Sequence, residues 1–213
     1  MNLKEFTNLP LMGILRDVDP DIIEPLSETV ISSGLNTIEI TMNTSSAPRL
    51  INKMRKSAGK RLMVGAGTVL TMDDMRSALD SGATFIVMPT LVREIVEYCA
   101  KNSIPVFPGA MTPQEIYDAW TAGATMVKVF PAKFLGPGYI KEIKGPFKDI
   151  KLLACGGVTN DNIGLFFSSG ASAVAFGGSV FKKEWLRRGE FHRIGEAIKE
   201  LVEGYEEKYK SKK

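Results

Sequence analysis

Ser81-Gly82-Ala83-Thr84-Phe85-Ile86 and Ala122-Gly123-Ala124-Thr125-Met126-Val127 are near copies of one another, and Ser33-Gly34-Leu35-Asn36-Thr37-Ile38 and Ser169-Gly170-Ala171-Ser172-Ala173-Val174 repeat the pattern on either side of them. In each segment a glycine closes a helix, because it adopts left-handed backbone without penalty, and an apolar run begins within a few residues. The spacing corresponds to about two βα units, each running roughly 20–25 residues in a minimal barrel.

Working outward from these segments, short apolar runs occur at Leu11–Leu15, Thr37–Met42, Leu62–Thr68, Phe85–Pro89, Pro105–Pro108, Met126–Phe130, Lys151–Ala154 and Ala173–Phe176. They predict eight strands. Helices are punctuated between them: Asp19-Pro20, Thr71-Met72-Asp73-Asp74 and Thr112-Pro113-Gln114-Glu115 are start signals, and Gly34, Gly82, Gly123 and Gly170 are stops. The four repeated segments each precede an even-numbered strand. The odd strands end instead in glycine, at Gly65-Ala66-Gly67, Pro108-Gly109 and Gly156-Gly157. Two alternating strand classes are what a (β/α)8 TIM barrel produces, since its interior layers draw on alternate strands. An open doubly wound sheet is the competing architecture, but its edge strands break the alternation, and no Gly-x-Gly-x-x-Gly follows the first strand. Catalytic groups are then expected at the C-terminal ends of the strands.

The chain has 213 residues, 44% of them hydrophobic, which suits a single domain over residues 1–213. Lys and Arg total 27 against 24 Asp and Glu, interspersed except in a charged C-terminal tail at about 206–213. That balance offers no basic face for nucleic acid, and the tail is read as a solvated, fraying terminus without function. Cys99 and Cys155 lie far apart and outside any Cys-x-x-Cys pattern, so a reduced, cytoplasmic protein is expected. No stretch approaches about 18 consecutive apolar residues, and no membrane association is expected. His192, the sole histidine, falls beyond the eighth strand on a surface helix, and no cluster of His, Cys or carboxylates suggests a metal; none is expected, nor any cofactor.

Parity within each strand assigns the barrel interior. In Thr37-Ile38-Glu39-Ile40-Thr41 the isoleucines face the surrounding helices, leaving Glu39 inside; in Met126-Val127-Lys128-Val129-Phe130 the valines face outward, leaving Lys128 inside. A carboxylate and an amine therefore share one enclosed space. Arg16, closing strand 1, and Thr68, closing strand 3, reach the same mouth. A purely structural Glu39–Lys128 ion pair is one reading, although burying two charges costs several kcal/mol and is often no better than apolar packing. The other is a functional site: apolar surroundings favour the neutral amine that a Schiff-base lysine requires, with Glu39 placed to shuttle protons. Cys155-Gly156-Gly157-Val158 and Phe176-Gly177-Gly178-Ser179 close strands 7 and 8, where barrels of this kind bind phosphate on backbone N–H groups and a helix N-terminus.

In these residues the chain resembles the 2-keto-3-deoxy-6-phosphogluconate and 4-hydroxy-2-oxoglutarate aldolases, together with the related 2-keto-3-deoxy-6-phosphogalactonate enzymes. The marks are Ile14-Leu15-Arg16, Ile38-Glu39-Ile40, Gly65-Ala66-Gly67-Thr68-Val69, Pro108-Gly109, Lys128-Val129-Phe130-Pro131-Ala132, Gly156-Gly157-Val158 and Gly177-Gly178-Ser179, in order across nearly the whole chain. The resemblance implies a retro-aldol reaction that releases pyruvate and an aldehyde, with Lys128 as the Schiff-base residue and Glu39 as proton acceptor and donor. It implies that Thr68 helps hold the pyruvate carboxylate and that Gly157, Gly178 and Ser179 bind the phosphate. Arg16, Pro89, Phe130, Cys155 and Gly156, all at strand ends, complete the expected substrate-binding set. The family is usually trimeric, so the resemblance implies a homotrimer.

Two positions depart from the gluconate-type pattern. Asn43 stands where an arginine usually follows the glutamate by four residues, and Arg16 on strand 1 is the candidate to replace it, as in galactonate-type enzymes; the alternative is a rim charge paired with Asp17 or Asp19. Cys155 stands where threonine or valine is usual, which leaves the C4 preference open. A phosphate-binding barrel isomerase or epimerase without imine chemistry, and a non-catalytic sugar-phosphate binding barrel, remain the rival readings.

Overall fold

The computed structural model describes residues 1–209, and its strands fall on the apolar runs. They are β1 (Leu11–Leu15), β2 (Thr37–Thr41), β3 (Met63–Gly67), β4 (Ile86–Val87), β5 (Val106–Phe107), β6 (Gly109–Ala110), β7 (Val127–Val129), β8 (Leu152–Cys155) and β9 (Ala173–Phe176). The helices are α1 (Leu3–Asn8), α2 (Ile23–Ser32), α3 (Ala47–Ala58), α4 (Met72–Asp80), α5 (Arg93–Lys101), α6 (Pro113–Thr121), α7 (Ala132–Lys144), α8 (Ile163–Ser168), α9 (Lys183–Arg188) and α10 (Phe191–Lys208). All pairings are parallel, in the order β5-β4-β3-β2-β1-β9-β8-β7-β6.

The two ends of that order, β5 and β6, are separated in the chain only by Pro108, so the ring closes through covalent continuity. The sequence run Pro105–Pro108 predicts one strand; the structure instead carries it on to Ala110 and divides it at the proline. Pro108 has no N–H to offer a ladder, while its carbonyl still accepts from Lys128 N–H at 2.8 Å. On the other side, the Phe107 carbonyl accepts from Met88 N–H at 3.1 Å. The fifth position of the barrel thus turns from β4 toward β7 at Pro108, and the architecture is a (β/α)8 barrel.

The helix punctuation forms as expected. Thr71 accepts from Asp74 N–H at 3.0 Å while the Asp74 carboxylate accepts from Thr71 N–H at 3.1 Å, and Thr112 and Glu115 repeat the exchange at 3.3 and 2.8 Å. Each such cap contributes about 1 kcal/mol. Gly34, Gly82, Gly123 and Gly170 have φ of 87°, 97°, 105° and 101°, which explains why every copy of the repeat keeps its glycine.

Side chains separate into two cores. Ile38, Ile40, Val127 and Val129 belong to the layer between sheet and helices, whereas Met12, Met63, Phe85, Phe107, Met126 and Leu153 fill the barrel itself. Phe6 of α1 plugs that inner cluster and meets Phe107 edge-on at 5.9 Å; Phe85 meets Phe107 likewise at 5.9 Å. A Cβ on Gly65 would lie 2.4 Å from the Phe85 ring. The glycines of an odd strand therefore leave the space that a large side chain of an even strand occupies, which is the physical content of the two strand classes.

Glu206, Glu207 and Lys208, assigned by sequence to a charged tail, lie within α10, and Tyr205 and Tyr209 pack on Phe167 at 4.8 and 5.0 Å. Residues 210–213 of that tail lie outside the described residues. His192 is exposed on α10. No helix among the described residues is long and apolar enough to cross a membrane.

Candidate active site

Glu39 sits at the middle of β2, level with Ile14 of β1 and Gly65 of β3, and Lys128 at the middle of β7, level with Gly109 and Leu153. Both point into the barrel, as parity predicts, at 1% and 6% exposure. The space for the Glu39 carboxylate is made by Gly67, where a Cβ would lie 2.5 Å from Glu39 Oε1.

The two charges do not pair. Among the described residues no Lys128 nitrogen comes within 4.0 Å of a Glu39 oxygen, and Glu39 Oε2 is buried without any hydrogen-bond partner. The structural ion pair is therefore absent. A buried unpaired acceptor costs about 1–3 kcal/mol, a penalty retained where the group has other work. Burial raises the Glu39 pKa above the ordinary carboxylate value, and the positive charges of Lys128 and Arg16 only partly oppose it. A protonatable carboxyl and an amine facing one enclosed space, with a gap between them, can form an imine and move protons around it.

A cavity of about 630 Å³ opens at the C-terminal ends of the strands on the β1, β7, β8 and β9 side. It is lined by Arg16, Phe130 and Cys155, and by the glycine-rich ends Gly156, Gly157, Gly178 and Ser179. Lys128 lies beneath it, its Nζ 5.3 Å from the centre of the Phe130 ring. Cys155 is 2% exposed, and burial pushes its thiol up from the ordinary value, so it presents an inert, weakly polar wall. Thr68 and Pro89 fall outside this lining. Thr68 is half-buried at the end of β3 with φ of 53°, and the Pro89 carbonyl abuts Gly109, where a Cβ would lie 2.2 Å from it.

The glycine-rich ends offer unused donors. The N–H groups of Gly157, Gly178 and Ser179 donate to no protein acceptor among the described residues. Ser179 Oγ donates to the Val158 carbonyl at 2.9 Å and ties the two turns together. Free amides on two turns that line one cavity can cradle an anion.

Arg16 lines the same cavity. The rim pairing considered from sequence does not form: Asp17 is held by Lys183 at 2.9 Å and Asp19 caps Asp21 N–H at 2.9 Å, leaving Arg16 with no ion pair among the described residues. Its backbone is fixed from β2, since Asp17 N–H donates to Thr44 Oγ1 at 3.1 Å and the Thr44 hydroxyl shares a 3.0 Å hydrogen bond with Thr41. Asn43 is exposed just past β2. Sequence reasoning missed Lys133, Phe181, Lys182 and Lys183, which also line the cavity. Lys133 follows directly on Lys128-Val129-Phe130-Pro131-Ala132, and Lys182 comes three positions after Ser179 of Gly177-Gly178-Ser179, so their positions were the available signal.

Fold and site together define a (β/α)8 barrel enzyme with a buried lysine and a buried glutamate under a mouth lined by cations and free backbone amides. The sequence model of the KDPG and KHG aldolase family matches residues 3–197, and the chain belongs to that family of aldolases. Among curated relatives, it is 32% identical to the 2-dehydro-3-deoxy-6-phosphogalactonate aldolase of Escherichia coli (strain K12), over 83% of this chain and 86% of that one. It is 30% identical to the 2-dehydro-3-deoxy-phosphogluconate aldolase of Haemophilus influenzae (strain ATCC 51907 / DSM 11121 / KW20 / Rd), over 94% and 95% respectively. A solved structure described as native KDPGal superimposes with a TM-score of 0.89 at 29% identity, covering 95% of this chain and 97% of that one.

Proposed function

We propose that this protein is a class I aldolase that reversibly cleaves a 2-keto-3-deoxy-6-phospho sugar acid to pyruvate and glyceraldehyde 3-phosphate, and 4-hydroxy-2-oxoglutarate to pyruvate and glyoxylate. The observation that carries the reading is that Lys128 and Glu39, both buried and not paired with each other, face one space beneath a cavity with a free arginine and free amides. The Lys128 amine adds to the keto carbon, and the carbinolamine loses water as Glu39 supplies a proton to the departing hydroxyl. The iminium then accepts the electron pair of the C3–C4 bond while the C4 hydroxyl gives its proton to the Glu39 carboxylate, releasing the aldehyde and leaving an enamine that Glu39 can reprotonate. Protonation of the enamine at C3 and hydrolysis of the imine free pyruvate and restore Lys128.

The relatives bear gluconate and galactonate names at nearly equal identity, so substrate choice must come from this chain's own residues. Arg16 is proposed to bind the substrate carboxylate in place of the arginine missing at Asn43, with Thr68 and Pro89 closing the far side of the mouth. Pyruvate release from the gluconate, galactonate and 4-hydroxy-2-oxoglutarate acids, ranked by kcat/KM, tests the reading directly; no pyruvate from any of them removes it. Arg16→Ala is expected to raise KM roughly tenfold or more, with a smaller change in kcat, by removing charge-assisted hydrogen bonds. Arg16→Lys should recover only part of the loss because lysine lacks the planar fork. An unchanged KM would return Arg16 to the rim.

A homotrimer in the cytoplasm completes the proposal. Its supports are two buried free thiols and exposed apolar side chains near the mouth, Phe134 at 78% with Leu70 and Met111. The mass of the assembly by light scattering should be three chains; a monomer would leave those side chains to another purpose.

A further inference from the structure

We propose that Lys133 is a specificity-determining residue: it binds the distal phosphate of the substrate and sets the preference for phosphorylated over unphosphorylated acids. The inference rests on the aldolase reading above and extends it to a residue outside the sequence motifs.

Four cations line the cavity, and three observations single out Lys133 among the lysines. Lys182 is committed to Trp185, its ammonium 4.1 Å from the ring centre, and Lys183 is committed to Asp17 at 2.9 Å. Lys133 has no hydrogen bond or ion pair among the described residues, and the one carboxylate of the lining, Glu184, is taken by Arg188 at 3.1 Å. Its charge is therefore uncompensated where the cavity has spare anion-binding capacity.

Second, its stem is directed at the cradle. Lys133 lies in the first turn of α7, and its Cβ and Cγ cover Gly157, where a Cβ would lie 2.8 and 3.0 Å from them. Gly157 has φ of 77°, so its lack of a side chain serves both the turn and the passage of Lys133 across it. Third, Gly157 N–H is one of the unused donors, so the lysine stem and a free amide belong to one wall. An ammonium on a flexible stem suits the diffuse charge of a phosphate, which needs no planar fork. The shorter 4-hydroxy-2-oxoglutarate carries a second carboxylate beside its C4 hydroxyl but no phosphate arm, so its distal anion stops short of the cradle and draws less on Lys133.

The test compares kcat and KM for a 2-keto-3-deoxy-6-phospho acid and for 4-hydroxy-2-oxoglutarate in the wild type, Lys133→Gln, Lys133→Glu and Lys101→Gln, with inorganic phosphate binding followed by 31P NMR. Lys133→Gln should raise KM for the phosphorylated acid about tenfold, the scale of one charge-assisted hydrogen bond, with a smaller effect on kcat. The ratio of the two kcat/KM values should move at least fivefold toward the unphosphorylated acid, further in Lys133→Glu, and inorganic phosphate should bind correspondingly more weakly. Lys101→Gln, in the last turn of α5 and outside the cavity lining, should leave the ratio within twofold. Equal effects on both acids, or unaltered phosphate binding in Lys133→Gln, would overturn the assignment. If the wild type released no pyruvate from either acid, the aldolase reading would fail by itself, and phosphate binding would still decide whether Lys133 serves the cradle.

Discussion

Lys128→Ala is expected to abolish pyruvate release, by on the order of 10⁴-fold or more, the scale reached when a nucleophile that acts as a unit with its proton partner is removed. The same substitution should abolish covalent capture of pyruvate by borohydride, which in the parent protein places the label on Lys128. Both outcomes follow from one arrangement: Lys128 is the amine beneath the cavity, 6% exposed, whereas Lys133, Lys182 and Lys183 stand at its lining. None of those three is enclosed with Glu39, so none can share its proton. Lys128→Met keeps most of the buried volume and separates loss of chemistry from loss of packing. An intact mass unaltered by pyruvate and borohydride in the parent would end the Schiff-base mechanism and restore the isomerase and binding-barrel readings. Full activity in Lys128→Ala would do the same.

Why Lys128 and Glu39 could be found in the sequence, while their neighbours could not, is a matter of which forces act on each. Ile38 and Ile40, or Val127 and Val129, must reach the helix layer, and the period of a strand then leaves Glu39 and Lys128 no other direction. The four closing glycines are equally constrained, since each carries a φ that other residues resist. Lys133 obeys no such local rule. Its course is set by the vacancy at Gly157, a residue far from it in sequence, and a helix-start lysine carries no mark of that. Arg16 is intermediate: its strand-end position was legible, but whether Asp17 would neutralise it depended on Lys183 arriving from beyond β9. The division of the fifth strand at Pro108 escaped for a related reason, because a proline ends one ladder without showing that its carbonyl will serve the next strand. Thr68 and Pro89, expected at the site, end strands on the side of the mouth away from the cavity lining.

Glu39→Gln should lose activity and gain stability, and the two effects should part with pH. Turnover is expected to fall by about 10²–10⁴-fold, the usual worth of a positioned acid–base group, while borohydride still captures some pyruvate on Lys128 because the amine is untouched. Stability follows from linkage. Burial raises the native Glu39 pKa above the ordinary 4.5, with Lys128 and Arg16 only partly opposing the shift. Between the ordinary value and the raised native value, the folded protein holds a proton that the unfolded chain has released, so stability falls as pH rises through that window. Glutamine stays neutral throughout and fills nearly the same space over Gly67. The difference in Tm between Glu39→Gln and the parent should therefore be smallest below about pH 4, where the parent carboxyl is protonated in both states. It should widen in favour of the variant as pH is raised through the native pKa. A difference that stayed flat or reversed with pH would mean that attraction to Lys128 outweighs desolvation and that Glu39 is ionised at rest. The carbinolamine step would then have to draw its proton from elsewhere, so a calorimetric pH series on one conservative variant tests the proton assignment of the mechanism without measuring the reaction.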